Sequence, residues 1–286
     1  MADITAIILT KNEEKNIKRC IESITGLCSR IVVMDSYSND QTCNIAESLG
    51  AEIYKHEFVN YGAQFQYALD TVGIQTQWVF RIDADESLTE ESYEEIRSLT
   101  KIHSNTDVNG IIFCLDVTFL GKQLHHGGLV PFKKLCIFKF NKAYMECRYM
   151  DEQIVLTEGR TVEMKTRARH DDYKNLTYWI NKQNWYASRA AKDYLEMDDI
   201  TENIKSLDFP SKVNRFVKYK IYRHLPSRFR CWLYFVYRYY IRLGFLDGRE
   251  GFYFAFFQAY WYRQLIDAKV FESRQMGKAI GETGSL

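Results

Sequence analysis

Acids and amides collect where apolar runs end. Thr10, Lys11, Asn12 and Glu13 follow ITAIIL, Asp35 and Ser36 close IVVMDS, and Asp83 and Asp85 lie in the DADE that follows WVFRI. Oxygen ligands are what Mg2+ or Mn2+ prefer. A cation between the Asp83–Asp85 pair and a diphosphate would neutralise the phosphates and stabilise a nucleotide leaving group. The same spacing suits solvated loop acids or helix caps, and the position directly after a strand favours the metal. Asp151 and Glu152, in RYMDEQ, are a second acid pair. Either could accept the proton of an attacking hydroxyl, although a surface turn fits them as well. His125 and His126, before Gly127 and Gly128, could hold phosphate or an acceptor, or belong to a flexible loop. His170, followed by Asp171 and Asp172, is equally open. Lys182 and Arg189 are seven apart on one helical face and suit phosphate or a charged acceptor, or plain solvent exposure.

These residues need elements to position them, and the first hundred residues supply βα units. Ile4 to Thr10 reads as a strand, and Ile17, Cys20, Ile21 and Ile24 recur at helical spacing until Gly26 stops the helix. IVVMD is a second strand. Ser38 or Asn39 is the expected cap of the next helix, which carries Thr42, Ile45, Ala46 and Leu49. AEIYK, a helix from Ala63 to Val72, the strand from Trp78 to Asp83 and a helix from Thr89 to Ile102 complete the series. Strands apolar on both faces predict a covered, mainly parallel sheet, and in such a sheet ligands bind beyond the carboxyl ends of the strands. Strands at Gly110 to Thr118, Leu135 to Phe140 and Val162 to Lys165 suggest mixed or antiparallel additions, and Tyr173 to Leu195 lacks Gly and Pro and reads as a helix. Pro210 and Pro226 mark breaks. The expected division is a catalytic domain over 1–205, with halves at about 1–105 and 106–205, and an extension over 206–286.

The 286 residues are 46% hydrophobic, enough to bury a core and to exclude disorder or a disulfide miniprotein as whole-chain descriptions. Seven cysteines occur without a CxxC, so scattered buried thiols are expected. The opening MADITAIILT lacks a basic segment followed by a long apolar run, and a cytoplasmic protein is expected. GxGxxG, GxxxxGK[ST] and GxSxG are absent, which removes the main support for dinucleotide, P-loop and α/β-hydrolase readings.

TAIILTKNEEKNIKRCIESI, IVVMDSYSNDQT and VFRIDADE together resemble the N-terminal half of the inverting family 2 glycosyltransferases of GT-A fold. HHGG, AYMECRYMDEQIVLTEG, NKQNWYASRAA and FVYRYYIRLGFLDGREGFYFAFFQAYWYR resemble the branch that builds bacterial lipopolysaccharide core, O-antigen or capsule. The resemblance covers roughly residues 3 to 270. It implies transfer of a sugar, usually from a UDP-sugar, to a glycan hydroxyl with inversion. Asp35 would then contact the uridine part, and Asp83 and Asp85 would form the DxD motif, with Asp85 the direct ligand of Mn2+ or Mg2+. Thr10, Asn12 and Glu13 would shape the donor pocket. Glu152, or Asp151 where the related enzymes often have His, would be the base. A nucleotidyltransferase and a non-catalytic membrane-surface binding protein are the alternatives.

The near balance of 38 basic and 37 acidic residues conceals two unlike parts. Asp83 to Glu95 carries seven acids and no base, whereas Ser211 to Arg249 carries ten bases and one acid, Asp247. Sixteen of the thirty-four residues from Phe229 to Tyr262 are aromatic. Such a stretch suits an element lying among anionic lipid headgroups, and the acceptor that the resemblance implies, typically lipid-linked, would place it at the cytoplasmic face of the inner membrane. It also suits packing on the catalytic domain or on a second copy, with arginines snorkelling outwards. It is too apolar for an open nucleic-acid groove, and no uninterrupted apolar run is long enough for a simple span.

Overall fold

A computed structural model describes residues 2–146, 153–172, 174–196 and 226–276. Asp151 and Glu152 lie outside the described residues. By the density of its internal contacts the chain divides into two units, one of residues 1–124 and 130–175, the other of residues 125–129 and 176–285. The helix expected at the end of the catalytic domain therefore groups with the C-terminal helices, because its packing partners are there.

In the first unit, four strands run parallel: β1 (Ala2–Thr10), β2 (Cys28–Asp35), β3 (Glu52–Lys55) and β4 (Trp78–Arg81), in spatial order β3-β2-β1-β4. Alternate side chains of β1 enter two cores. Ile4, Ala6 and Ile8 join Ile17, Cys20, Ile21 and Ile24 of α1 (Ile17–Ile24), while Ile7 joins Val32, Met34 and Phe65 on the opposite face. Each such isoleucine, valine, methionine or phenylalanine, fully removed from water, contributes about 1.5–3 kcal/mol. That double burial is why the strands read as continuous apolar runs. Register then sets the site: Thr10 lies beside Asp35, and Ile7 beside Arg81.

Beyond β4 the sheet becomes mixed. β8 (Phe132–Lys139) runs antiparallel between β4 and the long β6 (Val108–Phe119). On the far edge of β6, β11 (Arg160–Glu163) and β12 (Ala168–His170) pair parallel, and the two-residue β5 (Glu86–Ser87) pairs antiparallel with β12. β7 (Lys122–Gln123) closes a hairpin with β6, and β9 (Ala143–Met145) and β10 (Ile154–Leu156) form a separate ribbon.

Three further helices cover the sheet. α2 (Thr42–Ser48) begins later than expected: Ser38 and Asn39 serve the loop after β2, and the Asp40 carboxylate accepts the Thr42 N–H instead. α3 (Tyr61–Thr71) begins two residues before the expected start, because the Asn60 side chain caps it by accepting the Ala63 N–H at 2.7 Å. α4 (Glu90–Ile102) carries the reciprocal Thr89–Ser92 capping box. The six described cysteines are free thiols, five of them buried.

The second unit is helical. It comprises α5 (Leu176–Glu196), α6 (Ser227–Val236), a π-helical turn at Tyr237–Ile241, a 3-10 turn at Gly244–Asp247, α7 (Gly248–Ala255), a second π-helical stretch at Phe256–Trp261, and α8 (Tyr262–Met276). The Trp179 ring packs on Phe257 at 5.7 Å, and Arg230 pairs with Asp267. Among the described residues no helix is long and apolar enough to cross a membrane.

Candidate active site

The carboxyl ends of β1, β2 and β4 converge, and two of their loops are fastened to each other. Asp35 has no exposed surface. Its carboxylate accepts the Thr10 hydroxyl at 2.8 Å, the Ser38 N–H at 2.8 Å and the Ser38 hydroxyl at 2.5 Å. Lys11 donates to the carbonyls of Ser36 and Tyr37, and Asn12 and Glu13 are held from the other loop by Ser38, Asn39 and Thr42. Asn12 and Tyr37 both have positive φ, 54° and 58°. Asn tolerates this conformation and Tyr rarely adopts it, so the lacing of the loops holds Tyr37 in place. In this arrangement Asp35 braces the loop that carries the exposed Tyr37.

Behind the loops lies a buried chain of charges. Lys134, from β8, donates to Asp83 at 2.7 Å and lies 2.5 Å from Glu86. Tyr61, the first residue of α3, donates to the other oxygen of Asp83, and its ring lies under the Arg81 guanidinium at 5.3 Å. Burial alone would raise the Asp83 carboxyl, but Lys134 and Arg81 outweigh it and hold Asp83 below the usual carboxylate range. Glu86 is moved the other way, because burial prevails over the attraction of Lys134. Both oxygens of Asp83 thus face protein donors.

Asp85 is set differently. Its Oδ2 is 3.2 Å from Nε2 of His170, at the end of β12, and its backbone carbonyl accepts from the Asp171 N–H and from Arg19. Glu13 lies in the same charge field: its carboxyl is raised by burial and by Asp85, against the opposing effect of Lys174, which donates to it at 2.7 Å. Asn16 ties Glu13 to Asp172. An imidazole nitrogen beside a carboxylate oxygen is a donor set that a divalent cation accepts, Mn2+ more readily than Mg2+. Among the described residues there is no cluster of three or more His, Cys, Asp or Glu suited to a metal. Asp85 and His170 could supply two ligands to a cation, and substrate phosphate and water could supply the others.

Of the residues singled out from sequence, Thr10, Asn12, Glu13, Asp35, Asp83 and Asp85 come together in the sheet unit. Lys182 and Arg189 belong to the helical unit, where Arg189 is buried over the Trp185 ring at 4.6 Å. His125 and His126 belong to that unit as well. Sequence reasoning missed Tyr61, Lys134, Glu86 and Lys174, and left His170 open. A lysine facing Asp83 in strand register was the available signal for Lys134, but the register was not deducible.

Residues 5–148 match the domain described as glycosyl transferase family 2. The chain belongs to that family. An uncharacterized glycosyltransferase of Rickettsia typhi is 27% identical over 215 residues, 72% of each chain. The glycosyltransferase SunS of Bacillus subtilis is 29% identical over 101 residues, 35% of this chain and 24% of SunS. A solved structure of glucosyl-3-phosphoglycerate synthase from Mycobacterium tuberculosis, in complex with Mn2+, UDP and glucosyl-3-phosphoglycerate, is similar over 41% of this chain and 44% of that one, with 21% identity and a TM-score of 0.32. This family 2 glycosyltransferase is a sugar-transferring enzyme that uses a nucleotide sugar, and its sheet unit has the GT-A fold. Its Rickettsia relatives are described as uncharacterized glycosyltransferases, which carries the assignment as far as the family.

Proposed function

We propose that this glycosyltransferase moves a sugar from a UDP-sugar, with inversion at the anomeric carbon, to a hydroxyl of a lipid-linked or cell-envelope glycan at the cytoplasmic face of the inner membrane. The observation that carries the reading is the pairing of Asp85 with His170 at 3.2 Å beside Asp83, which Lys134 and Tyr61 hold from behind. In the reaction the acceptor oxygen bonds to the anomeric carbon as the bond to the diphosphate breaks, and the hydroxyl proton passes to a carboxylate. Asp151 or Glu152 is assigned that proton by the family resemblance. A bound Mn2+ or Mg2+ would supply the positive charge that the departing diphosphate needs. Asp85 and His170 would hold that cation. Asp83, ionised and fixed in direction, presents a preorganised acceptor to the donor's hydroxyl groups, and Asp35 acts on the nucleoside through the loop it braces.

The test is a thermal-shift screen of nucleotide sugars with and without Mn2+. One UDP-sugar is expected to raise the melting temperature, as any ligand selective for the folded state does, and to do so more strongly with Mn2+. No stabilisation by any nucleotide sugar under either condition would overturn the proposal.

A further inference from the structure

Two motifs that the transfer chemistry does not use, HHGG and GFLDG, meet inside the helical unit. Asp247, only 3% exposed, accepts the backbone N–H groups of His125 and His126, the latter at 2.9 Å, and lies 2.8 Å from Nδ1 of His126. The Gly127 N–H donates to the Arg242 carbonyl at 2.8 Å, and the Arg238 guanidinium donates to the Gly127 carbonyl. The clasp is close enough that glycine is required. A Cβ on Gly251 would stand 2.2 Å from the Gly244 carbonyl oxygen, and one on Gly244 would stand 2.9 Å from that of Arg238.

What the clasp fastens is a turn whose outer side is apolar. Tyr240, Ile241, Leu243, Phe245 and Leu246 are all exposed, Ile241 by 68% and Leu246 by 54%. Leu243 has φ +58°, a conformation that non-glycine residues seldom take. Flexible apolar loops fold their side chains inwards, since covering each one gains about 1.5–3 kcal/mol. Here the buried hydrogen bonds keep them out. Arg242 and Arg249 are exposed on the same short stretch, and its one acid, Asp247, is buried in the clasp. The outward surface is therefore apolar and positive with no negative group from Tyr237 to Arg249. A second copy of this face would set arginine against arginine with only the half-buried Glu250 beside Arg249, whereas the boundary between anionic headgroups and acyl chains accepts both kinds of side chain.

We propose that Tyr240–Leu246 is a rigid wedge, held by the Asp247 clasp, that inserts into the headgroup layer of an anionic bilayer while Arg242 and Arg249 meet lipid phosphates. This deepens the membrane-surface part of the proposed function and is independent of the transfer chemistry. The test uses the full chain and phosphatidylglycerol-containing vesicles, with pure phosphatidylcholine vesicles as the control. The triple variant Ile241→Ser, Phe245→Ser, Leu246→Ser is expected to lower the vesicle partition coefficient by at least about tenfold, with its circular dichroism and its turnover on a soluble acceptor unchanged. Removing one arginine, as in Arg249→Gln, is expected to weaken binding about fivefold on the anionic vesicles alone. A Leu246→Trp reporter should shift its fluorescence to the blue on those vesicles. No binding by the unmodified chain, or equal binding by the triple variant, would overturn the wedge and leave the transferase reading standing. A dimer that the triple variant dissolves in the absence of lipid would also overturn it, in favour of a second copy. Vesicle binding by a chain that turns over no nucleotide sugar would support the wedge and contradict the transferase.

Discussion

Lys134 brings a buried positive charge to the acids of the candidate site. It stands between Asp83 and Glu86, two acids that would repel each other without it. Truncating one member of a buried ionic group leaves charge uncompensated, which costs about 3–5 kcal/mol. Lys134→Met is accordingly expected to lose stability of that order in urea unfolding. A loss within the range of an ordinary surface substitution, about 0.5 kcal/mol, would show that Asp83 and Glu86 find other partners. The acids at strand ends were legible in the sequence because residue type and position after an apolar run were both visible. Their partners were not: Lys134 is 51 residues from Asp83, His170 is 85 from Asp85 and Lys174 is 161 from Glu13. Asp35 shows a subtler limit, since its sequence position promised a ligand contact and gave no sign that Thr10 and Ser38 already occupy its oxygens.

Elements were recovered where a periodic apolar pattern ran for several residues. β5 and β12, with two and three residues, carry no such pattern, yet β12 brings His170 to Asp85. Their pairing depends on long-range register, which no local window contains. Caps also set the geometry of the candidate site, because Asn60 fixes the start of α3 and α3 begins with the tyrosine that meets Asp83. Asn60→Ala is expected to cost about 1 kcal/mol, and Asn60→Gly only a few tenths. Equal losses in thermal unfolding would place the effect outside the cap.

The clasp offers a pH test at the same scale. Burial raises the Asp247 carboxyl, but hydrogen bonds from the His126 side chain and the backbone of His126 and His125 prevail and hold it below its ordinary 3.8. The unfolded chain therefore binds the proton more readily. The group's contribution is complete above 3.8 and is lost as pH falls through the depressed value. Asp247→Asn should cost about 1–3 kcal/mol near neutral pH and flatten this part of the acid dependence. Parallel stability curves for the two proteins would contradict it.

At the scale of the whole molecule, the balanced charge is a sum over two units of opposite character. Acids crowd the strand ends of the sheet unit, and bases accompany the aromatics of the helical unit. Composition showed the segregation, but not where it divides: α5 packs with the C-terminal helices, and residues 125–129 join them from the middle of the chain. The HHGG and GFLDG motifs stand more than a hundred residues apart, so only the folded structure shows that they form one clasp. The central claim is metal-assisted transfer from a nucleotide sugar at Asp85 and His170. It is tested most directly by measuring the nucleotide product released from the stabilising UDP-sugar, with Mn2+ or with EDTA, in the unmodified enzyme and in Asp85→Asn. The expected result is UDP as product, loss of turnover in EDTA, and a fall of about 10²-fold or more in kcat for the variant. UTP formed from the UDP-sugar only when pyrophosphate is added, or turnover unchanged by EDTA and by Asp85→Asn, would contradict it.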